Sequence, residues 1–152
     1  MTIKLSTFLR TQIAGTTGFG TSFANGVIEV YTGAQPATAD AAPTGTLLGT
    51  FTLASGAFTP GTATNGLTFA AAASGAVAKT GVWSLAAVAA GTAGWARFKG
   101  NAVDAGAAAD TTHARMDMSV GVTGADLNLS NITFTVSLPV SIDTFTFTTP
   151  GA

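Results

Sequence analysis

The chain has no cysteine and a single histidine, His113. Disulfides, thiolate nucleophiles and thiolate metal centres are thereby excluded, as are metal motifs that need paired histidines. Charge is scarce too: 9% of residues are charged, against about 25% in an average soluble domain. Six Lys and Arg stand against seven Asp and Glu. The dense basic patch that recognises a phosphate backbone is missing, so no nucleic-acid partner is expected. Strongly apolar runs are missing as well. The charge-free stretch Thr80–Ala96 is short for a span, consists mostly of Ala, Gly, Thr and Ser and is interrupted by Gly81, Gly91 and Gly94, so no membrane partner is expected. Lys4 and Arg10 are not followed by a continuous apolar run, and no secretory signal peptide is expected.

Catalytic signatures are equally thin. Gly15–Gly20 is glycine-rich but carries no lysine, and it reads as a turn rather than a phosphate loop. No G-x-S-x-G elbow occurs, and His113 has no partner set that the sequence orients. Glu29 is the only glutamate. Asp104 and Asp110 share an Ala/Gly loop but lack the Asp/Asn/Gly density of calcium loops. The chain is therefore read as non-enzymatic, with no catalytic, cofactor or metal residues assigned.

What is present is small, apolar and hydroxylated. Hydrophobic residues make up 47% of the chain, and the formal net charge is −1, a balance that favours association. A length of 152 residues suffices for one self-supporting core. Leu5, Phe8, Leu9 and Ile13 fall on one helical face, with Ser6 or Thr7 as cap and Gly15 as terminator. A helix this short must dock its apolar face, either on the chain's own core or on a neighbouring subunit.

After Gly15 the pattern becomes period two. Strands are predicted at Val27–Tyr31, Leu47–Leu53, near Leu67–Ala70 and near Ala114–Val122. Val82–Val88 and Ala93–Lys99 are predicted to form a hairpin about Ala90-Gly91-Thr92. From Ile132 to Ile142 every even position is apolar, which predicts one half-buried strand surface. Pro139 places a corner or a sheet edge there, and the phase flips at Phe145 and Phe147. The Ala70–Ala90 stretch reads as loop plus strand. The expected fold is all-β: a jelly-roll-like β-sandwich of about eight antiparallel strands, with a short N-terminal helical arm (1–20) preceding the sandwich domain (21–152).

Recognition residues concentrate in Trp95-Ala96-Arg97-Phe98-Lys99. Period two puts Trp95, Arg97 and Lys99 on one face, and Trp and Arg are enriched at interface hot spots. The competing reading is internal, with Arg97 or Lys99 paired across strands to Asp117.

Val27-Ile28-Glu29-Val30-Tyr31-Thr32-Gly33-Ala34-Gln35-Pro36, Gly94-Trp95-Ala96-Arg97-Phe98-Lys99-Gly100 and Gly124-Ala125-Asp126-Leu127-Asn128-Leu129-Ser130-Asn131 together resemble small virion structural proteins of tailed bacteriophages that coat or cement the head. That resemblance implies a jelly-roll-like accessory protein, made in the host cytoplasm and bound outside a shell of another protein. The partners then expected are the major capsid protein of the same virion and further copies of this chain, as a dimer or trimer. The expected contacts are Leu5, Phe8, Leu9 and Ile13 of the arm and the Trp95, Arg97 and Lys99 stripe. The alternatives are a tail, connector or baseplate component, or a receptor- or carbohydrate-binding sandwich whose site would use Trp83 or Trp95.

Overall fold

Ser6 opens the first helix by accepting a hydrogen bond from the Leu9 N–H at 3.2 Å, and Gly15 closes it by donating to the Thr11 and Gln12 carbonyls. The computed structural model describes residues 3–104, 106 and 108–149. Its elements run β1 (Lys4–Leu5), α1 (Thr7–Ala14), α2 (Phe19–Phe23), β2 (Val27–Thr32), β3 (Leu47–Leu53), β4 (Thr68–Phe69) and β5 (Ala76–Thr80). They continue with β6 (Trp83–Ala86), β7 (Gly91–Lys99), β8 (Arg115–Gly121), β9 (Leu127–Asn128), β10 (Thr133–Phe134), β11 (Pro139–Ile142) and β12 (Thr146–Thr148).

The fold is all-β, as expected, with strands gathered into two unequal sheets. The large one holds nine strands along the path β1-β8-β7-β2-β3-β6-β11, with β10 beside β7 and β9 beside β8. The small one is β12-β5-β4. They meet through an aromatic cluster: Phe69 of β4 lies 5.3 Å from Trp83 and 5.9 Å from Phe98 between ring centroids. α2 closes the end of this core, with Phe19 stacked on Phe147 of β12 at 3.8 Å and Phe23 tilted on Phe98 at 4.5 Å. The short helix at 19–23 was not expected. Its one signal is the Phe19/Phe23 spacing, a single helical turn that burial of both rings stabilises.

Two expectations are corrected. β6 and β7 do not form a hairpin, because β2 and β3 lie between them in the large sheet; β6 bonds β3 and β11 instead. The Ile132–Ile142 alternation is not one strand either. A turn with Ser137 at φ 67° separates β10 from β11 and leaves Val136 63% exposed. Phe134, Val140 and Ile142 keep their predicted buried side. Pro139 sits at the first position of β11, which is an edge strand and needs no donor from it.

The first residues close over the chain's own core. β1 pairs with β8, and Leu9 is fully buried in the main hydrophobic cluster, so part of the apolar face of α1 is spent internally. Leu5 and Phe8 are half-buried against that cluster, and Ile13 is exposed.

At Tyr31 both ladders of β2 slip by one residue. Across from it, Gly94 lets the Gly33 backbone come close: a Cβ on Gly94 would lie 2.0 Å from the Gly33 carbonyl oxygen. This bulge turns the chain into the 33–45 loop, which folds back over the sheet.

Candidate functional site

Period two gives the large sheet two chemically different faces. Ile28, Val30, Ala96, Phe98, Met116 and Met118 point into the aromatic core. The opposite face carries Glu29 and Tyr31 of β2, Trp95, Arg97 and Lys99 of β7, and Arg115 and Asp117 of β8. The register sets these side by side: Glu29 faces Arg97, Tyr31 faces Trp95, and Arg97 faces Asp117.

Two loops cover this charged layer. Arg97 holds Asp117 with both nitrogens, Nε at 2.7 Å and Nη2 at 2.9 Å, and gives Nη1 to the Ala41 carbonyl at 2.9 Å. Trp95 donates its indole N–H to the Thr44 carbonyl at 3.2 Å and stacks on Tyr31 at 4.7 Å. Lys4 ties the same loop through the Pro36 carbonyl, and Asp40 accepts from the backbone and hydroxyl of Thr7. On the other side, Arg115 grips Asp104 at 2.7 and 2.5 Å and reaches the Ala108 carbonyl. Lys99 pairs with Glu29 at 2.9 Å, whose other oxygen accepts the Tyr31 hydroxyl at 2.9 Å.

Burial and these partners move the acid–base equilibria in opposite directions. Burial pushes the Asp117 carboxyl up, with the Arg97 guanidinium opposing it. Burial also acts to raise Asp104, but the Arg115 guanidinium and the Gly106 N–H prevail and hold it below the ordinary range. Thr112 hydrogen bonds, with His113, hold Asp110 well below the usual carboxylate value. Burial and the neighbouring Glu29 raise the Tyr31 phenol.

The expected contact stripe is therefore interior. Trp95 and Arg97 are fully buried and Lys99 nearly so. The internal reading of Arg97 holds, and Lys99, diagonal to both acids in the register, pairs with Glu29 because Arg97 already occupies Asp117. Leu9 is likewise interior, while Leu5 and Phe8 are partly covered and Ile13 keeps an outward face. Trp83 is fully buried too, so neither tryptophan presents a ring to a sugar.

Asp104, Asp110 and His113 are the described residues that offer a metal-ligand set, their donor atoms lying within 4.8 Å of one another. Arg115 already binds both oxygens of Asp104 and approaches Asp110 at 3.9 Å, and His113 contacts Asp110 directly. The guanidinium supplies the positive charge a cation would bring, so the set is satisfied as it stands. It is the loop cluster that the Asp104/Asp110 spacing hinted at, with His113 and Arg115 added by the fold.

The charge economy extends to the whole molecule. All six cations and all seven carboxylates have a hydrogen-bond partner inside the chain; outside the covered layer these are Arg10 with Thr7, Lys79 with the Gly81 carbonyl, Asp126 with Ser119 and Asp143 with Ser141. Two open grooves are of a size to hold a ligand. One, about 530 Å³, lies between α2 and the small sheet and is lined by Phe19, Val77, Phe147 and small residues, with no charged group. The other, about 430 Å³, lies on the charged face beyond the edge of the covering loops, over Glu29, Thr50 and Lys99. No helix among the described residues is long and apolar enough to cross a membrane. Compared with protein-family models, curated proteins and solved structures, the chain matches none of them.

Proposed function

We propose that this chain is a structural protein of a tailed-bacteriophage virion, bound as a decoration or cement protein to the outside of the capsid and stabilising it. The observation that carries this reading is that most charged side chains are spent on partners inside the chain, with only Arg10 and Asp143 exposed among them. It leaves a surface of hydroxyls, alanines and exposed valines such as Val82, Val88 and Val122, with little charge to desolvate on contact. Interface cores are depleted in charge for this reason, and a near-neutral particle surface associates readily. The resemblance of the Val27–Pro36, Gly94–Gly100 and Gly124–Asn131 segments to head-coating proteins supports the same reading.

In this reading the partner is the major capsid protein, met by neutral surface that includes the exposed side chains of Ile3, before β1, and Ile13, on α1. The chain also contacts further copies of itself as a dimer or trimer. Weak contacts per copy suffice when many copies share one lattice. A rigid subunit suits that role, and the buried ion pairs and the loops locked over them supply the rigidity.

The test uses capsids assembled without the accessory protein, heated with and without the purified chain while genome release is followed by a dye. A higher release temperature with the chain present, together with co-sedimentation on intact shells, is the expected result. Identical release temperatures and no co-sedimentation refute the proposal.

A further inference from the structure

The groove over Glu29 and Lys99 differs from the rest of the surface. Its floor is the charged face of the large sheet: Val27 and Glu29 from β2, Thr50 and Thr52 from β3, and Lys99 from β7. Glu29 stands opposite Thr50 and Val27 opposite Lys99 in the ladders, so the floor is set by register. The wall is the segment after β3. Ala54 and Ser55 both take left-handed φ values, 53° and 57°, which folds this segment back over the sheet. It is pinned there: the Thr52 hydroxyl donates to the Gly56 carbonyl at 2.8 Å, the Asn65 amide to the Ala57 carbonyl at 2.8 Å, and the hydroxyls of Ser55 and Ser84 meet at 2.8 Å. Phe58 and Pro60 are thereby held as an apolar side of the cleft.

The floor retains unused hydrogen-bonding capacity. The Glu29 carboxylate accepts from Lys99 and Tyr31, while a carboxylate has about four acceptor positions. The Lys99 ammonium gives one hydrogen to Glu29 and one, at 3.4 Å, to the Asp104 carbonyl, and its third has no partner among the described residues. Both side chains keep some exposure, 14% for Glu29 and 9% for Lys99, and both line the groove. The pair carries no net charge, so it attracts neither anion nor cation strongly. A purely apolar occupant would strip water from an ion pair and leave it unsatisfied. A volume of about 430 Å³ falls in the range of small-molecule sites.

We propose that this groove is a binding site for a neutral sugar ring, whose hydroxyls bridge Glu29, Lys99 and Thr50 while its C–H face lies on Phe58 and Pro60. Hydroxyls both donate to the carboxylate and accept from the ammonium; a hydrocarbon does neither, and a phosphate would bring negative charge against the Glu29 carboxylate. The pinned wall means the site is formed before the ligand arrives, which limits the ordering cost of binding. This inference stands independently of the capsid reading, since it concerns one groove of the isolated chain.

The test is a titration of the isotope-labelled protein with methyl α-glucopyranoside, methyl β-galactopyranoside, methyl α-mannopyranoside and N-acetylglucosamine at millimolar concentrations, followed by amide chemical shifts. Cyclohexanol, a ring of the same size with one hydroxyl, serves as the apolar control. The expected result is saturable shifts for at least one sugar, confined to Val27–Glu29, Thr50–Thr52, the Ser55–Thr59 segment and Lys99, with cyclohexanol silent there. Phe58→Ala and Thr50→Val should each weaken binding by about tenfold, the size of one ring contact or one hydrogen bond. Their amide spectra away from the groove should be unchanged. No shift with any of the four sugars, shifts mapping elsewhere, equal binding of cyclohexanol, or full binding by both folded variants overturns the proposal.

Discussion

Arg97 and Asp117 face each other across the β7–β8 ladder with two parallel hydrogen bonds and no contact with solvent. A third bond, from Arg97 to the Ala41 carbonyl, ties the pair to the loop above it. Removing one member leaves a buried charge without its partner. Arg97→Met or Asp117→Asn should each lower the unfolding free energy by about 3–5 kcal/mol, while Arg97→Met with Asp117→Leu should recover most of that loss. Urea denaturation of the three variants checks both numbers. A double variant no more stable than the singles contradicts the assignment of the cost to the unpaired charge.

Trp95 makes one bond that its aromatic stack does not need, the indole N–H to Thr44. Trp95→Phe keeps a ring against Tyr31 and loses that bond, so it should cost about 1 kcal/mol from the hydrogen bond, plus the smaller ring's packing loss. The effect should be local. Hydrogen exchange should accelerate in residues 33–45 and leave the amides of β7 and β8 protected.

Acid should loosen the 101–113 loop first. Asp104 and Asp110 are both held below their ordinary values in the folded chain. A depressed carboxyl contributes stability that is complete above the unfolded-chain value, 3.8, and is lost as pH falls through the lower folded value. Asp117 is shifted the opposite way, so its protonation removes none of this stabilisation. Unfolding free energy should therefore decline below about pH 4, and Asp104→Asn should flatten that decline. Urea midpoints collected down the acid range, wild type against variant, measure it.

The bulge at Tyr31 depends on Gly94. A methyl group there would meet the Gly33 carbonyl at 2.0 Å, backbone against backbone, with no side chain to rotate away. Gly94→Ala should cost at least about 3 kcal/mol. Gly18→Ala is the control: it has φ −73° and nothing within 4 Å of the new carbon, so its melting temperature should be close to that of the parent. Thermal melts of the two variants give the comparison.

The first helix separates stability from attachment. Leu9 is fully buried and Ile13 is not. Leu9→Ala should cost about 2–5 kcal/mol. Ile13→Ser, at a side chain 37% exposed, should lower the melting temperature less than Leu9→Ala does, yet reduce co-sedimentation with capsids, because on the proposed reading its side chain faces the shell. Unaltered co-sedimentation by the folded Ile13→Ser protein removes this helix from the contact.

Local pattern alone determined the all-β class, the positions of β2, β3 and β8 and the Gly15 stop of the first helix; it narrowed the cap to Ser6 or Thr7 and Pro139 to a corner or a sheet edge, and the tertiary structure chose Ser6 and the edge. Those features follow from side-chain alternation and from dihedral limits within a few residues, which any stretch of chain carries by itself. Period two also placed Trp95, Arg97 and Lys99 together on one face. Whether that face meets water or protein was settled elsewhere, by the 33–45 loop, more than fifty residues away in sequence, and by Asp104 and Ala108 in the segment that follows β7, largely through backbone carbonyls, which every residue has and no motif marks. Strand order was decided the same way. β6 and β7 are neighbours in the chain but not in the sheet, since pairing is chosen by which strands best bury the common core. The groove wall at Ser55–Pro60 and the Glu29–Lys99 pair beneath it likewise exist only once register brings β2, β3 and β7 side by side.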